Sequence, residues 1–154
     1  MVNSNRGYSK PLYVIVHRSQ IESTSNYYRN MIACMESGEI PYPGASKEVF
    51  EIGLRETEAV LGEIERLVEE EDTLYVDGSP YEIILPNIDK RRQLLVCGGL
   101  FRLNSGYELC VDKHIEVLKG AGYCANVYSS ATLAATPDDR RIQLSKAQSV
   151  FKNF

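Results

Sequence analysis

The sequence predicts a three-layer α/β/α domain with a mainly parallel sheet of about five strands, Rossmann-like in outline. Two observations carry that expectation. Short apolar runs rich in β-branched residues alternate along the chain with longer amphipathic stretches, and the runs are apolar throughout instead of at every second residue. A strand that is apolar on both faces needs cover on both faces, and the intervening helices supply it. The length of 154 residues and the 44% hydrophobic content suit one core, so residues 1–154 are expected to form a single domain.

Each element follows from its local pattern. "LYVIVH" at 12–17, set off by Pro11, reads as a buried strand. Between Ser19 and Glu36, Ile21, Tyr28, Met31, Ile32 and Met35 recur at helical spacings, and Gly38 offers a stop. "GEIPYPGAS" at 38–46 holds two prolines and two glycines and is a loop. Ser46 then caps a second helix whose stripe runs through Phe50, Leu54, Leu61, Ile64 and Val68.

"TLYV" at 73–76, the turn signal "DGSP" and "YEIILP" at 81–86 read as two short strands or one interrupted strand. "RRQLLVCGG" at 91–99 reads as a fully buried strand ending in a glycine pair, and a helix over 106–120 leads to the strand "YCANVYSSAT" at 123–132. Thr136 and Pro137 open a C-terminal helix towards Phe151, whereas residues 1–10 read as a flexible N-terminal segment.

Composition narrows the function. Seventeen basic against 21 acidic residues, a net charge of -4 and no long basic block argue against general nucleic-acid binding. Lys90, Arg91 and Arg92 form either a local anion site or a solvated loop. No apolar run approaches the roughly 18 residues needed to cross a bilayer, and "MVNSNRGYSK" lacks the apolar core of a signal peptide. A cytoplasmic protein without a membrane partner is therefore expected. Cys34, Cys97, Cys110 and Cys124 form no C-x-x-C pair, so they read as free thiols. With no Gly-rich phosphate loop, H-E-x-x-H or G-x-S-x-G, no cofactor and no metal are expected.

Ligands of open parallel sheets bind beyond the carboxyl ends of the strands. That rule selects His17, Arg18, Asp77, Gly98, Gly99, Ser129 and Ser130. The stretch "YELCVDKHIEVLKGAGY" at 107–123 adds Cys110 and His114, which share one helical face. They make either a nucleophile and base, or a packed face with Val117 and Ala121 on which His114 hydrogen-bonds at the edge. Ser105 and Glu108 fit a capping box, which would put Cys110 in the second turn. Asp77, Glu108 and Asp112 form a separate acidic set of the kind that binds magnesium, and "LYVDGS" is weakly similar to small nuclease domains of the PIN and NYN type. Ten tyrosines, in segments such as "NYYRN" and "IPYPG", suit either a partner surface or half-buried packing.

Cys97-Gly98 at a strand end, Cys110-Val111, Gly122-Tyr123 and the strand "ANVYSSAT" together resemble the isochorismatase-like cysteine hydrolases over residues 94–132. The resemblance implies Cys110 as a nucleophile that attacks an amide or related carbon to form a covalent intermediate. It also implies an aspartate ending the first strand and a lysine on a middle strand. Here the first strand ends Ile15-Val16-His17-Arg18 without an acid, and the first lysine near the middle strands is Lys90. Gln20 fits a glutamine often found just after that aspartate. The expectation is a divergent cysteine hydrolase acting on, or binding, a small amide or carboxylate metabolite. The alternatives are a noncatalytic member serving homo-oligomerisation or partner binding, and a metal-dependent nuclease using Asp77.

Overall fold

The computed structural model describes residues 10–77, 88–101 and 110–134. The elements are β1 (Leu12–Val16), α1 (Arg18–Glu36), α2 (Lys47–Glu70), β2 (Thr73–Val76), β3 (Gln93–Phe101), α3 (Cys110–Gly120) and β4 (Cys124–Ala134). The strand expected at 81–86, the helix expected after Thr136 and the Ser105–Glu108 capping box lie outside the described residues.

All the strand pairings described are parallel, in the order β2-β1-β3-β4. The chain leaves β1 towards β2 on one side and later returns to β3 on the other, so the order reverses at β1. Every residue of β1 is buried, which is why "LYVIV" carries no polar position. Alternation divides the strand between two cores. Leu12, Val14 and Val16 join Leu94, Val96, Ala125 and Val127 beneath Val111 and Leu118 of α3. Tyr13 and Ile15 join Leu95 and Cys97 beneath Ile21, Val60, Ile64 and Leu67 of α1 and α2.

The α2 stripe differs from the expected one. Phe50, Thr57, Val60, Ile64 and Leu67 are buried, while Val68 is 41% exposed. Val60 and Leu67 lie seven residues apart on the inward face, and Thr57 joins it by donating its hydroxyl to the Leu54 carbonyl. Ser46 stands at the N-cap in extended conformation but its side chain makes no capping hydrogen bond. The helix is therefore held by packing more than by its cap. Tyr28 of α1 lies flat over Gly53 of α2, where a Cβ would come within 2.5 Å of the ring. Tyr27, Tyr28 and Tyr42 surround Phe50 in edge-on or tilted contacts. The tyrosines of "NYYRN" and "IPYPG" thus pack on one phenylalanine, with Tyr27 and Tyr42 left about half exposed.

Two polar clamps tie the layers. At the amino edge, Arg92 pairs with Asp72 at 2.6 Å and donates to the carbonyls of Lys10 and Pro11, pinning the start of β1. Arg91 pairs with Asp89, and the Lys90 ammonium lies 5.5 Å from the Tyr123 ring centre. The basic triplet is therefore committed to the protein itself. On the α2 face, Glu63 accepts from Arg66 at 2.7 Å and from the Tyr128 hydroxyl at 2.6 Å. The Arg66 and Tyr128 bonds hold the Glu63 carboxyl below its usual range, and burial with the Glu63 bond pushes Tyr128 up to about 12.

β4 carries an irregularity that shapes the carboxyl edge. Val96 pairs with Val127, but Gly98 pairs with Thr132, so two steps on β3 oppose five on β4. The extra residues turn β4 over: Ala125 and Val127 face α3, whereas Ala131 and Leu133 face α1 and α2. The Thr132 hydroxyl donates to the Tyr128 carbonyl at 2.6 Å across the bulge.

Two stability outcomes follow from this packing. Tyr128→Phe should lower stability by about 1–2 kcal/mol by removing a hydrogen bond to a carboxylate, read from the urea midpoint at an unchanged slope. Gly98 has φ +111, and a Cβ there would overlap the Val16 carbonyl oxygen. Gly98→Ala should therefore cost about 3 kcal/mol or more, and a midpoint within experimental error of wild type would refute that role.

Candidate functional site at the carboxyl edge

Beyond the last residue of β1 the chain turns sharply. His17 donates its N–H to the Val76 carbonyl at 2.9 Å, adopts a left-handed conformation (φ 50, ψ 50) and stands at the N-cap of α1. Histidine is among the side chains that tolerate this region, at a cost of order 1 kcal/mol. Its carbonyl accepts from Gln20 N–H, opening the helix. The turn delivers the His17 ring to the α3 side of the sheet, edge-on to the His114 ring with centres 5.9 Å apart. The two histidines of the sequence, 97 positions apart, thus converge at one end of the sheet.

His114 is fully buried, not placed at the edge of its helix face. The inward face of α3 is Val111, Asp112, His114 and Leu118, whereas Cys110 and Val117 are half-buried and Ala121 is exposed. The expected face of Cys110, Val117 and Ala121 is rotated because Val111 and Leu118 make the better apolar contact with Val14, Val16 and Val96. The His114 Nδ1 lies 2.6 Å from the main-chain oxygen of Cys110. A carbonyl only accepts, so Nδ1 carries the proton and Nε2 the lone pair. Nε2 is buried and meets no hydrogen-bond partner among the described residues. Burial holds the imidazole below its usual range, with His17 acting in the same direction and the Cys110 carbonyl opposing.

Cys110 begins the described part of α3. Burial pushes its thiol up, and the neighbouring Asp112 carboxylate pushes it further. A catalytic cysteine requires the reverse, a cation or an imidazolium that stabilises the thiolate. Asp112 is itself buried, which its place in the polar run "DKH" does not announce.

The remaining predicted residues fall into distinct places. Gly98 and Gly99 are buried at the β1–β3 seam. Arg18 donates to the Tyr75 hydroxyl at 2.8 Å and pairs with Glu22 and Glu65, so its guanidinium is drawn to the α2 and β2 side. Asp77 ends β2 exposed to solvent. Ser129 is buried within the β4 bulge and Ser130 is exposed. Lys90 stands beside Gly122 at the amino edge, the opposite end of the sheet from Cys110. Among the described residues no three histidine, cysteine or acidic side chains gather to hold a metal, and Glu108 of the acidic set lies outside them.

A crevice of about 380 Å³ opens at the same carboxyl edge, on the α1 side of the sheet. Its wall is the first turns of α1, with Ser19, Gln20, Ser23 and Thr24, and its floor is Ile21, Gly99, Leu100 and Leu133. Of these, Gly99 is a residue the strand-end rule selected and Gln20 one the family resemblance pointed to. The hydroxyl residues of α1 and Leu133 gave no sequence signal, because a polar exposed helix turn looks like any solvated face. The bulge in β4 is what turns Leu133 towards this side.

The fold and the site define an α/β protein with a parallel sheet whose strand order reverses at β1, where a polar-walled crevice opens. Comparison with known proteins finds no matching family model, no matching curated protein and no matching solved structure.

Iodoacetamide should label Cys110 more slowly than the exposed Cys124 near neutral pH, with the Cys110 rate rising only above the ordinary thiol range. Asp112→Asn should accelerate labelling of Cys110 roughly twofold or more by removing the adjacent charge. Preferential labelling of Cys110 in the wild type would instead identify an activated nucleophile.

Proposed function

We propose that this chain is a noncatalytic, isochorismatase-like α/β protein that binds a small amide or carboxylate metabolite at its carboxyl edge. The crevice between α1 and the end of β3 carries this reading. It lies where the strand order reverses, the place at which open α/β sheets bind ligands. Its volume falls in the range of about 300–1,000 Å³ found for small-molecule sites. Its lining pairs an apolar floor with hydroxyl and carboxamide groups, with no charged side chain among the described residues.

Binding is favoured over thiol catalysis by three features of the same edge. The Cys110 thiol is pushed up by burial and by Asp112. Burial disfavours the imidazolium form of His114 that would stabilise a thiolate. The position that would carry the family's aspartate is His17. Uncharged donors such as the Gln20 carboxamide and the serine hydroxyls recognise amide and carboxylate oxygens without a salt bridge, which predicts modest affinity for small ligands.

The test is a screen of small amides and carboxylates by two-dimensional NMR. Binders should shift the amides of Ser19–Thr24, Gly99 and Leu133, and Ser23→Trp, which fills the crevice mouth, should weaken them by about tenfold or more. Shifts that map elsewhere, or affinities unaltered by Ser23→Trp, would overturn the assignment. Turnover of any amide, lost in Cys110→Ser, would replace it with the hydrolase reading.

A further inference from the structure

His114 is the one buried base at the carboxyl edge that ligand binding does not use. Its ring is enclosed, its Nδ1 is bound to the Cys110 carbonyl, and its Nε2 faces no hydrogen-bond partner among the described residues. Across from it stands the other histidine, held in a left-handed turn between β1 and α1. The strands packed against α3 offer no compensating charge. β1, β3 and β4 contain no aspartate, glutamate, lysine or arginine, and their titratable groups Tyr13, Cys97 and Tyr128 lie in the core on the opposite face. Cys124, also on β4, is exposed at its amino end. On α3 itself the charged groups are Asp112, Lys113, Glu116 and Lys119, of which Asp112 alone is buried.

We propose that the His17–His114 pair is a pH-responsive latch joining α3 to the β1–α1 turn. Closed, it seats a neutral His114 ring against His17. Protonation of His114 places a charge where none of the described residues accepts its Nε2 proton and where a second imidazole stands edge-on, so the proton binds best when the ring leaves its seat. The linkage runs in one direction. Burial lowers the affinity of the seated ring for protons relative to an ordinary imidazole at 6.5. The latch is therefore fully stable above that value, weakens as pH falls through it, and reaches its limit below the seated ring's own lower value. Release is transmitted through His17 to the first turn of α1, where Ser19 and Gln20 wall the crevice. That last consequence rests on the binding reading; the latch does not.

Histidine-ring NMR titration of the full chain separates the two. His114 should titrate below the ordinary imidazole value, and the amides of Arg18–Ile21 should move with the same midpoint. His17→Asn, which tolerates the left-handed backbone, should raise the His114 midpoint by removing the opposing ring. His114→Gln should reduce the loss of Tm between about pH 7.5 and about pH 5 by about 3 °C or more. His114 titrating at the ordinary value, α1 amides silent through its transition, or a midpoint unmoved by His17→Asn would each overturn the latch, whether or not His114→Gln folds. A pH-dependent α1 turn in a protein that binds no small ligand would leave the latch standing and remove only its link to the crevice.

Discussion

The approach of Gly98 to Val16, backbone against backbone at the end of the β1–β3 seam, is the constraint on which the rest of the structure depends. A glycine with φ +111 is what lets β3 stay paired with β1 to its last residue. Because that seam closes fully, the turn at His17 must begin abruptly, and the His17 N–H finds its acceptor on β2. On the other side of Gly98, β4 carries the bulge that separates Val127 from Thr132. The His17 turn, the glycine pair and the bulge thus lie together at the carboxyl edge, and between them they form both the crevice and the histidine contact.

Stability is distributed unevenly around this seam. The two cores are built from aliphatic side chains on either side of a sheet whose central strand is wholly buried. Fully burying each such side chain is worth roughly 1.5–3 kcal/mol, more than the exposed ion pairs of α1 and α2 contribute. The polar clamps act as positioning devices. Arg92 sets where β1 begins, and Glu63 with Tyr128 fixes α2 over the bulged half of β4. At the carboxyl edge the described contacts of α3 include its apolar packing on the sheet and the His114 ring against His17.

That balance also determines the chemistry of the edge. A half-buried thiol beside a carboxylate, with a buried histidine whose cationic form is disfavoured, lacks the positive charge that stabilises a thiolate. The described lining of the crevice pairs an apolar floor with hydroxyl and carboxamide groups.

Sequence alone determined the elements that depend on short-range pattern. β1, β3 and β4 were legible from apolar runs, α1 and α2 from helical spacing, and the parallel α/β class from their alternation, because strand and helix periodicities are local properties. The inward stripe of α2 was read less well: Val60 and Leu67 bury where Val68 had been expected, since two adjacent apolar positions differ only by which meets the sheet. Strand-end reasoning marked His17, Gly98 and Gly99 as edge residues, but nothing in the sequence said that His17 meets His114. The contact depends on a left-handed turn and on the rotation of α3 set by Val111 and Leu118, and the turning of Leu133 towards the crevice depends on a bulge inside β4. Such features arise from the closest mutual packing of segments far apart in the chain, and only the tertiary structure decided them.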